Sequence, residues 1–327
     1  MIDRRDFANA LGLGLLGTPI LAQAQPAQRP AVVGVLQTGT ARGGHATALA
    51  KGLGELGYVE GRNLALEFRF TGGKQAALAA FVAEFVALQV DVIYAVGPAN
   101  VTAAWEATGT IPIVAFDLET DPVQVGWAHS LARPGGNVTG LFVDVPALAG
   151  KWVELLHAAA PAVRRIGLLW DTTAGSSQLA AAKAAAQGLG IEFHVIEVRS
   201  REGLEQALRA GTAAGIRAFV MLGSPELSTA TPLRRIAGFA ADKQLPAISP
   251  FRWFADAGGL MSYGPNLEDF YARAASFIAR ILRGAKPGEL AIELPTKFEL
   301  VLNLKAAKAL GLTLPQSLLL RADAVIQ

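Results

Sequence analysis

Residues 121–151 separate two stretches of the chain that share one pattern. On both sides of this segment, short apolar runs rich in β-branched residues alternate with longer alanine-rich runs. The alternation predicts strands that alternate with helices, which assemble into parallel sheets through right-handed βαβ units. Within the segment, the cluster at 133–137 (RPGGN) predicts a chain reversal, because proline fixes one φ angle and glycine allows positive φ. We therefore expect two similar α/β halves that meet near this segment.

Residues 141–146 allow two interpretations. They are either a segment that crosses from one half to the other, or part of an ordinary strand, loop and helix within one large sheet. The residue before Pro146 is expected to be extended in both cases, since proline disfavours the helical conformation of its predecessor. The next helix is accordingly predicted over 147–160, and both interpretations stay open.

The composition supports two well-buried domains and excludes several kinds of site. The chain has 327 residues, of which 52% are hydrophobic and 17% charged, enough for two apolar cores. Its 29 basic and 27 acidic residues are scattered, so nucleic acid is not an expected partner. The absence of cysteine excludes disulfides, thiolate zinc sites and cysteine nucleophiles. The four histidines lie in unrelated contexts, so neither a metal nor another cofactor is predicted.

Residues 1–24 have the features of an export signal. Arg4 and Arg5 precede an apolar stretch over 8–22, and residues 22–24 (AQA) have the small-x-small form of a signal-peptidase site. The stretch is shorter than the roughly 20 apolar residues of a membrane span, and glycine and proline interrupt it. We expect cleavage that leaves Gln25 as the mature N-terminus of a protein that does not span the membrane. The paired arginines suggest the twin-arginine route, although the residues after Phe7 depart from its usual motif.

The periodicity assigns strands and helices to both halves. In the first half, strands are predicted over 31–37, 63–70, 90–96, 111–116 and 138–145, with helices over 45–56, 74–88 and 101–108. In the second half, strands are predicted over 165–170, 192–198, 218–222, 247–251 and 259–263, with helices over 178–189, 201–213, 226–243, 266–282 and 304–310. The predicted fold class is therefore α/β.

Open α/β sheets bind ligands beyond the carboxyl ends of their strands, so the loops there are the candidate site. The loops at 97–100 (GPAN) and 223–226 (GSPE) place small residues and proline at predicted helix starts, where main-chain N–H groups favour an anion such as a carboxylate. The competing interpretation is that glycine and proline only punctuate these loops. Neither loop has the GxGxxG or phosphate-loop pattern of a nucleotide site.

The acidic, hydroxyl and aromatic residues of these loops complete the candidate set. Asp117, Glu119, Asp121 and Asp171 can receive an ammonium group or serve as acid and base, although solvated loop carboxylates are the alternative. Serines next to helix starts are expected to be caps rather than nucleophiles, and no catalytic residue is predicted. Phe251 and Tyr263 follow predicted strands and can line a cleft. The candidate ligand contacts are Thr38, Gly39, Gly97, Ala99, Asn100, Asp117, Asp171, Ser176, Gly223, Ser224, Phe251 and Tyr263.

Several long runs resemble the ABC-transporter substrate-binding protein family related to tryptophan- and tyrosine-binding proteins. They are residues 52–70, 90–97, 111–123, 130–141, 149–156, 257–290 and 295–327, and together they extend over essentially the whole mature chain. The resemblance implies a type I periplasmic-binding-protein fold, in which two Rossmann-like lobes with parallel sheets are joined by three crossing segments. It implies crossings near 143–146, 263–266 and 293–297. The first lobe would contain 25–143 and 266–293, and the second 144–265 and 294–327.

The resemblance also implies a function. Such a protein is an exported, non-enzymatic binding protein, which closes its hinge on a small organic ligand and delivers it to an ABC transporter permease. We expect the mature chain to be a monomer. The ligand expected from the family is an amino acid. Many relatives have a loop resembling glycine–threonine–proline where this chain has 97–100, so an aromatic amino acid, another amino acid and another small carboxylate stay open. A sensor or chemoreceptor adaptor of the same fold and an α/β enzyme are the alternatives.

Overall fold

The computed structural model of the chain describes residues 29–38, 44–72, 75–172, 174, 176–224, 227–228 and 230–327. The expected export signal and the candidate residue Gly39 lie outside the described residues. Both stay sequence predictions.

Within the described residues, the first sheet has five parallel strands in the order β2-β1-β3-β4-β5. Its strands are β1 (Ala31–Gln37), β2 (Leu64–Phe70), β3 (Val92–Val96), β4 (Ile113–Asp117) and β5 (Val138–Phe142). The connecting helices are α1 (Gly44–Glu55), α2 (Leu78–Ala87) and α3 (Pro98–Ala107), with a short 3-10 helix (Gln75–Ala77) before α2. The central strands are apolar along their length because helices cover both faces of the sheet.

The second sheet, counted over the same part of the chain, has seven strands in the order β12-β11-β10-β9-β8-β6-β7. Its strands are β6 (Arg165–Asp171), β7 (Glu192–Val198), β8 (Ala218–Met221), β9 (Ala247–Ser249), β10 (Met261–Pro265), β11 (Phe298–Asn303) and β12 (Ala324–Ile326). The helices of this part of the chain are α4 (Val145–Ala159), α5 (Ser177–Gly188), α6 (Leu204–Ala213), α7 (Ala230–Asp242), α8 (Arg252–Asp256), α9 (Leu267–Leu282), α10 (Leu304–Ala309) and α11 (Gln316–Leu319), with a 3-10 helix at Pro287–Glu289.

The predicted α/β class with two sheets is confirmed, with one difference in the second sheet. There β11 runs antiparallel to β10, while the other neighbouring strands are parallel. The chain crosses to the first sheet after β10 and, on its return, enters the second sheet beside the end of β10. For this reason β11 runs next to β10 in the opposite direction. The second sheet is therefore mixed rather than wholly parallel.

Each sheet is covered on both faces. On the first sheet, α1 and α9 lie on one face and α2 and α3 on the other. Gly52 lets α1 and α9 approach closely, because an added Cβ would lie 2.9 Å from Ala275 Cβ. On the second sheet, α4 and α5 cover one face and α6, α7 and α8 the other. A three-layer arrangement of this kind leaves the strand ends, rather than the sheet faces, available for a ligand.

The chain passes between the two sheets three times within the described residues. It leaves the first sheet after β5, leaves the second after β10, and leaves the first again before β11. Because β5 and β6 belong to different sheets, the crossing interpretation of residues 141–146 is correct. The strand is shorter than predicted, since it ends at Phe142.

The helix that follows the first crossing begins earlier than predicted. Asp144 is its N-cap and accepts a hydrogen bond from Ala147 N at 3.0 Å, and Pro146 lies in the first turn. Proline is tolerated there because the first N–H groups of a helix have no partner within the helix. The expectation of an extended Val145 before a helix at 147 is therefore wrong.

Hydrogen bonds connect the crossing segments to both sheets. Glu293 N donates to Gly140 O at 2.9 Å, and Phe142 N donates to Glu293 O at 3.0 Å, which fixes the third crossing beside β5. Asn266 caps α9 by accepting from Asp269 N at 3.0 Å, and its amide nitrogen donates to Glu299 Oε1 of β11 at 2.6 Å. One side chain thus joins a helix on the first sheet to a strand of the second.

Several other predicted boundaries differ from the structure. The helix α3 begins at Pro98 rather than at 101, and α7 begins at Ala230 rather than at 226. The strand β9 ends at Ser249, so Phe251 lies outside it and precedes the unpredicted helix α8. The unpredicted α11 and β12 occupy the C-terminal tail. These short elements carry too few residues for a clear periodicity, and their packing on the second sheet stabilises them.

Candidate ligand-binding site

The carboxyl ends of β1 and β3 are joined by a buried amide. Asn100, which is 2% exposed, donates from Nδ2 to Thr38 Oγ1 at 3.3 Å and also to Val96 O. Two of the predicted contacts, Thr38 and Asn100, therefore bond to each other. Asn100 thus ties Thr38, directly after β1, to the first turn of α3.

The start of α3 offers fewer main-chain donors than its sequence suggests. Gly97 has a φ of 92° and donates its N–H to Phe116 O at 2.8 Å. Pro98 has no N–H, and Asn100 N donates to Gly97 O at 3.1 Å. In this turn, which lies wholly within the described residues, Ala99 N is left as the main-chain donor without an acceptor. The helix start can therefore give a ligand carboxylate one N–H rather than a group of them.

Asp117 ends β4 and is fully buried. Its Oδ1 accepts hydrogen bonds from Glu119 N at 2.8 Å and Thr120 N at 3.0 Å, which shape the following loop. Its Oδ2 has no hydrogen-bond partner within the described part of the chain. Burial raises the pKa of this carboxyl above its ordinary value, although the two main-chain donors oppose the shift. A cationic donor near Oδ2 would offset the energetic cost of burying the charged carboxylate.

In the second sheet, Asp171 and Ser224 form a buried pair. Ser224 Oγ donates to Asp171 Oδ2 at 2.6 Å and accepts from Leu227 N at 2.9 Å. Ser228 N in turn donates to Ser224 O at 3.1 Å. The expected capping role is thus correct for Ser224, which caps a turn ahead of α7. It does not hold for Ser176, which is exposed and makes no capping hydrogen bond to α5.

Gln178, which the sequence analysis did not select, connects the two sheets. Its Oε1 accepts from Gly223 N at 2.8 Å, and its Nε2 donates to Gly223 O at 2.8 Å and to Glu119 Oε1 at 3.1 Å. Glu119 follows β4 of the first sheet, while Gln178 and Gly223 belong to the second. The sequence feature that could have indicated this role is an isolated glutamine in the first turn of an alanine-rich helix, directly after the loop that follows β6.

Each of the two aromatic candidates stacks on a neighbouring aromatic ring. Phe251 lies at the N-cap position of α8 and stacks on Trp253, with ring centroids 6.4 Å apart. Tyr263 lies inside β10 rather than after its strand, so that expectation is wrong, and it stacks on Phe298 at 6.0 Å. The carbonyl of Tyr263 accepts from Trp152 Nε1 at 2.6 Å. Both rings are thus fixed by packing.

Two searches of the described residues give negative results. No group of three or more histidine, aspartate or glutamate side chains in this part of the chain has an arrangement that could hold a metal ion. No described helix has both the length and the apolar character needed to cross a bilayer.

Comparison with known proteins now places the chain in a family. The family described as "ABC transporter substrate binding protein" matches residues 32–326. The chain belongs to this family. The match includes both sheets, the three crossings and every described residue of the candidate site, so the resemblance seen in the sequence is confirmed.

Relatives of this substrate-binding protein include some whose ligands are named. A tyrosine-binding protein of Clostridioides difficile is 24% identical over 268 residues, which cover 80% of this chain and 75% of the relative. The structure of an ABC domain in complex with L-Trp from Streptococcus pneumoniae is 25% identical, with a TM-score of 0.79 over 91% of this chain and 100% of that one. A conserved domain protein from Vibrio cholerae is 27% identical, with the same TM-score and coverage.

Proposed function

We propose that this chain is the exported solute-binding protein of an ABC importer, which traps an amino acid between two lobes by hinge closure. The observation that carries the proposal is the arrangement of polar groups at the carboxyl ends of two sheets joined by three crossings. Asp117 lies at the end of β4, and Asp171 with Ser224 lies at the ends of β6 and β8. Sheets joined in this way can rotate about the crossings and enclose a ligand between these edges.

The proposed lobes follow the crossings. The first lobe contains residues 25–143 and 266–293, and the second contains 144–265 and 294–327. The packing of α9 on α1 and on β3 to β5 supports the assignment of 266–293 to the first lobe. The pairing of β11 with β10 supports the assignment of the tail to the second.

An amino acid matches the chemistry of the candidate residues. Carboxylates at the strand ends favour an ammonium group, and Asp117 has an oxygen without a partner among the described residues. The N–H of Ala99 can donate to the ligand carboxylate. Phe251 and Tyr263 supply rings that favour an aromatic side chain, in agreement with relatives named for tyrosine and L-Trp. The proposed site is therefore specific for an aromatic amino acid.

The proposed location and partner follow from the family. A substrate-binding protein of an ABC importer works outside the cytoplasmic membrane, so we propose cleavage of residues 1–24 and a periplasmic location. The partner would be the transporter's permease, which recognises the closed form. Closure is what distinguishes the loaded from the empty protein.

A thermal-shift screen of the mature protein tests the ligand class. L-Tryptophan and L-tyrosine should raise the melting temperature, since a ligand at a hundredfold excess over its Kd stabilises the native state by about 2.7 kcal/mol. Tryptamine and indole-3-propionate, which lack the carboxylate and the ammonium group respectively, should give much smaller shifts. No shift with any of the twenty amino acids would exclude the proposed ligand class.

A bulky substitution at Ala99 tests the position of the site. Ala99→Leu should weaken binding of the ligand found in the screen at least tenfold by calorimetry, because the larger side chain obstructs approach to the Ala99 N–H. Gly97 is unsuitable, since any other residue would be strained at its φ of 92°. Ala107→Leu makes the same change at the exposed far end of α3 and serves as the control. Unchanged affinity in a folded Ala99→Leu variant would remove this loop from the site.

A further inference from the structure

The hydrogen bond from Gln178 Nε2 to Glu119 Oε1 joins parts of the chain that belong to different sheets. Glu119 lies in the loop after β4, and its side chain is half-buried. Gln178 lies in the first turn of α5 and is 1% exposed. A hydrogen bond to a charged acceptor stabilises more than a neutral one, and partial burial reduces its competition with water.

Gly223 holds the Gln178 amide in one orientation. Both main-chain groups of Gly223 bond to this amide at 2.8 Å, so its oxygen and one of its N–H bonds are already used. The second Nε2–H is thereby directed toward Glu119. A side chain at position 223 would interfere, because an added Cβ would lie 3.2 Å from Val145 Cγ1 and 3.4 Å from Gln178 Oε1. The donor is therefore preorganised, and little side-chain entropy is lost when the bond to Glu119 forms.

This contact lies beside the first crossing. Val143 N donates to Asp117 O at 2.8 Å, and Val145 N donates to Leu118 O at 3.3 Å, so the crossing runs directly along the loop that carries Glu119. Val145 also packs toward Gly223. A rotation about the crossing would move α5 relative to this loop and lengthen the distance between Nε2 and Oε1. The hydrogen bond thus depends on the angle between the two sheets.

We propose that Gln178 is a positioning residue, which fixes the angle between the lobes through Glu119 and stabilises the arrangement of the two sheets seen in the structure before a ligand arrives. This role rests on the proposed hinge function and concerns the empty protein. Loss of the Glu119 carboxylate shifts the equilibrium at least about tenfold toward arrangements in which the two sheets have rotated apart, the lower limit expected for one hydrogen bond to a charged group. The Gln178–Gly223 pairing is left in place by that change.

Single-molecule energy transfer measures the equilibrium directly. The chain has no cysteine, so Ala80→Cys on α2 and Gln187→Cys on α5, both at exposed positions, give one dye on each proposed lobe. In this background and without ligand, Glu119→Ala should increase the ratio of low-transfer to high-transfer molecules at least about tenfold. Glu119→Gln, whose amide oxygen still accepts a neutral hydrogen bond, should shift this ratio less than Glu119→Ala does.

Glu106→Ala provides the matched control, since it removes an exposed carboxylate from the first sheet's helix α3. Its distribution should equal that of the wild type. Gln178→Glu, which places a carboxylate against Glu119 and Gly223 O, should shift the distribution further than Glu119→Ala. An unchanged distribution in a folded Glu119→Ala variant would overturn the proposal. Because no ligand is present, that result would leave the amino-acid screen unaffected, and a failed screen would leave this measurement valid.

Discussion

Asp117 is a carboxylic acid enclosed by the protein, and its environment makes the stability depend on pH. Its pKa is raised in the folded state because burial disfavours the charged form more than the N–H groups of Glu119 and Thr120 favour it. The folded protein therefore keeps this proton at pH values where the unfolded chain has already lost it. As pH rises from the ordinary value of 3.8 to the raised value, this residue's contribution to the free energy of unfolding decreases.

Asp117→Asn should remove this contribution while its amide oxygen continues to accept from the loop. The free energy of unfolding of the variant minus that of the wild type should increase with pH through the same window. Urea denaturation at a series of pH values above 3.8 measures the difference. Asp121→Asn makes the same change on an exposed carboxylate of this loop that accepts from Val123 N and Gln124 N. A difference for Asp117→Asn that does not vary with pH would contradict the interpretation.

The carboxylates near the strand ends were predictable as a group but not as individuals. The sequence places Asp117, Glu119 and Asp121 after one strand, yet each has a different role. Asp117 shapes the loop from a buried position, Glu119 bonds to Gln178, and Asp121 caps an exposed turn. The burial and the hydrogen-bond partners of each carboxylate depend on residues distant in sequence, such as Gln178. Local sequence patterns carry no information about these distant residues.

At the scale of elements, β5 depends on a glycine. Gly140 has a φ of 132° and lies opposite Ala115 of β4. A Cβ built there would lie 2.7 Å from Ala115 N and closer still to Ala115 O. These are backbone atoms of a central strand and cannot move aside. Glycine is thus required where the first sheet meets the first and third crossings.

Gly140→Ala should lower the free energy of unfolding by about 3 kcal/mol or more, since backbone strain adds to the clash with β4. Gly150→Ala, within α4, is the matched control. Its added Cβ would be 3.6 Å from Ala185 Cβ, an ordinary contact, so we expect a change between zero and about 1 kcal/mol of stabilisation. Denaturant titration of both variants checks the prediction, and equal stabilities would refute it.

The element boundaries show where sequence periodicity succeeds and where it fails. The strands β1 and β7 have the predicted limits, because buried or alternating runs with turn residues at both ends are unambiguous. The helix α4 begins earlier than the rule for the residue before proline predicts, because Asp144 caps it and Pro146 fits the first turn. A capping side chain determines a helix start through one hydrogen bond to a main-chain N–H of the first turn. The sequence alone does not show whether this hydrogen bond forms.

At the scale of the whole molecule, the proposed export signal gives a prediction about the mature protein. Protein recovered from the periplasm should begin at Gln25, because the small residues at 22 and 24 suit signal peptidase. N-terminal sequencing checks this. Replacement of Arg4 and Arg5 together by lysine keeps the charge and should block export only if the twin-arginine route is used. Recovery of uncleaved protein in the membrane fraction would count against a cleavable signal.

The two-sheet fold and the family were accessible from the sequence, whereas the contact between the sheets was not. Alternating strands and helices predict each sheet locally, but the angle between sheets depends on side chains that meet only after folding. Gln178 and Glu119 are separated along the chain by two strands, a crossing and a helix. The sequence left the crossing near 143 as one of two open interpretations, because a pattern of strands that restarts fits both one large sheet and two sheets.

The position of α9 has a consequence for how the chain assembles during synthesis. This helix packs on α1, where Leu49 and Leu53 are fully buried, yet it is encoded after most of the second sheet. When all five strands of the first sheet have left the ribosome, the apolar face that α9 will cover is still open. The first sheet, which is synthesised first, is thus completed by a helix that is synthesised near the end. A nascent chain in this state must be kept from aggregating until its last third is made.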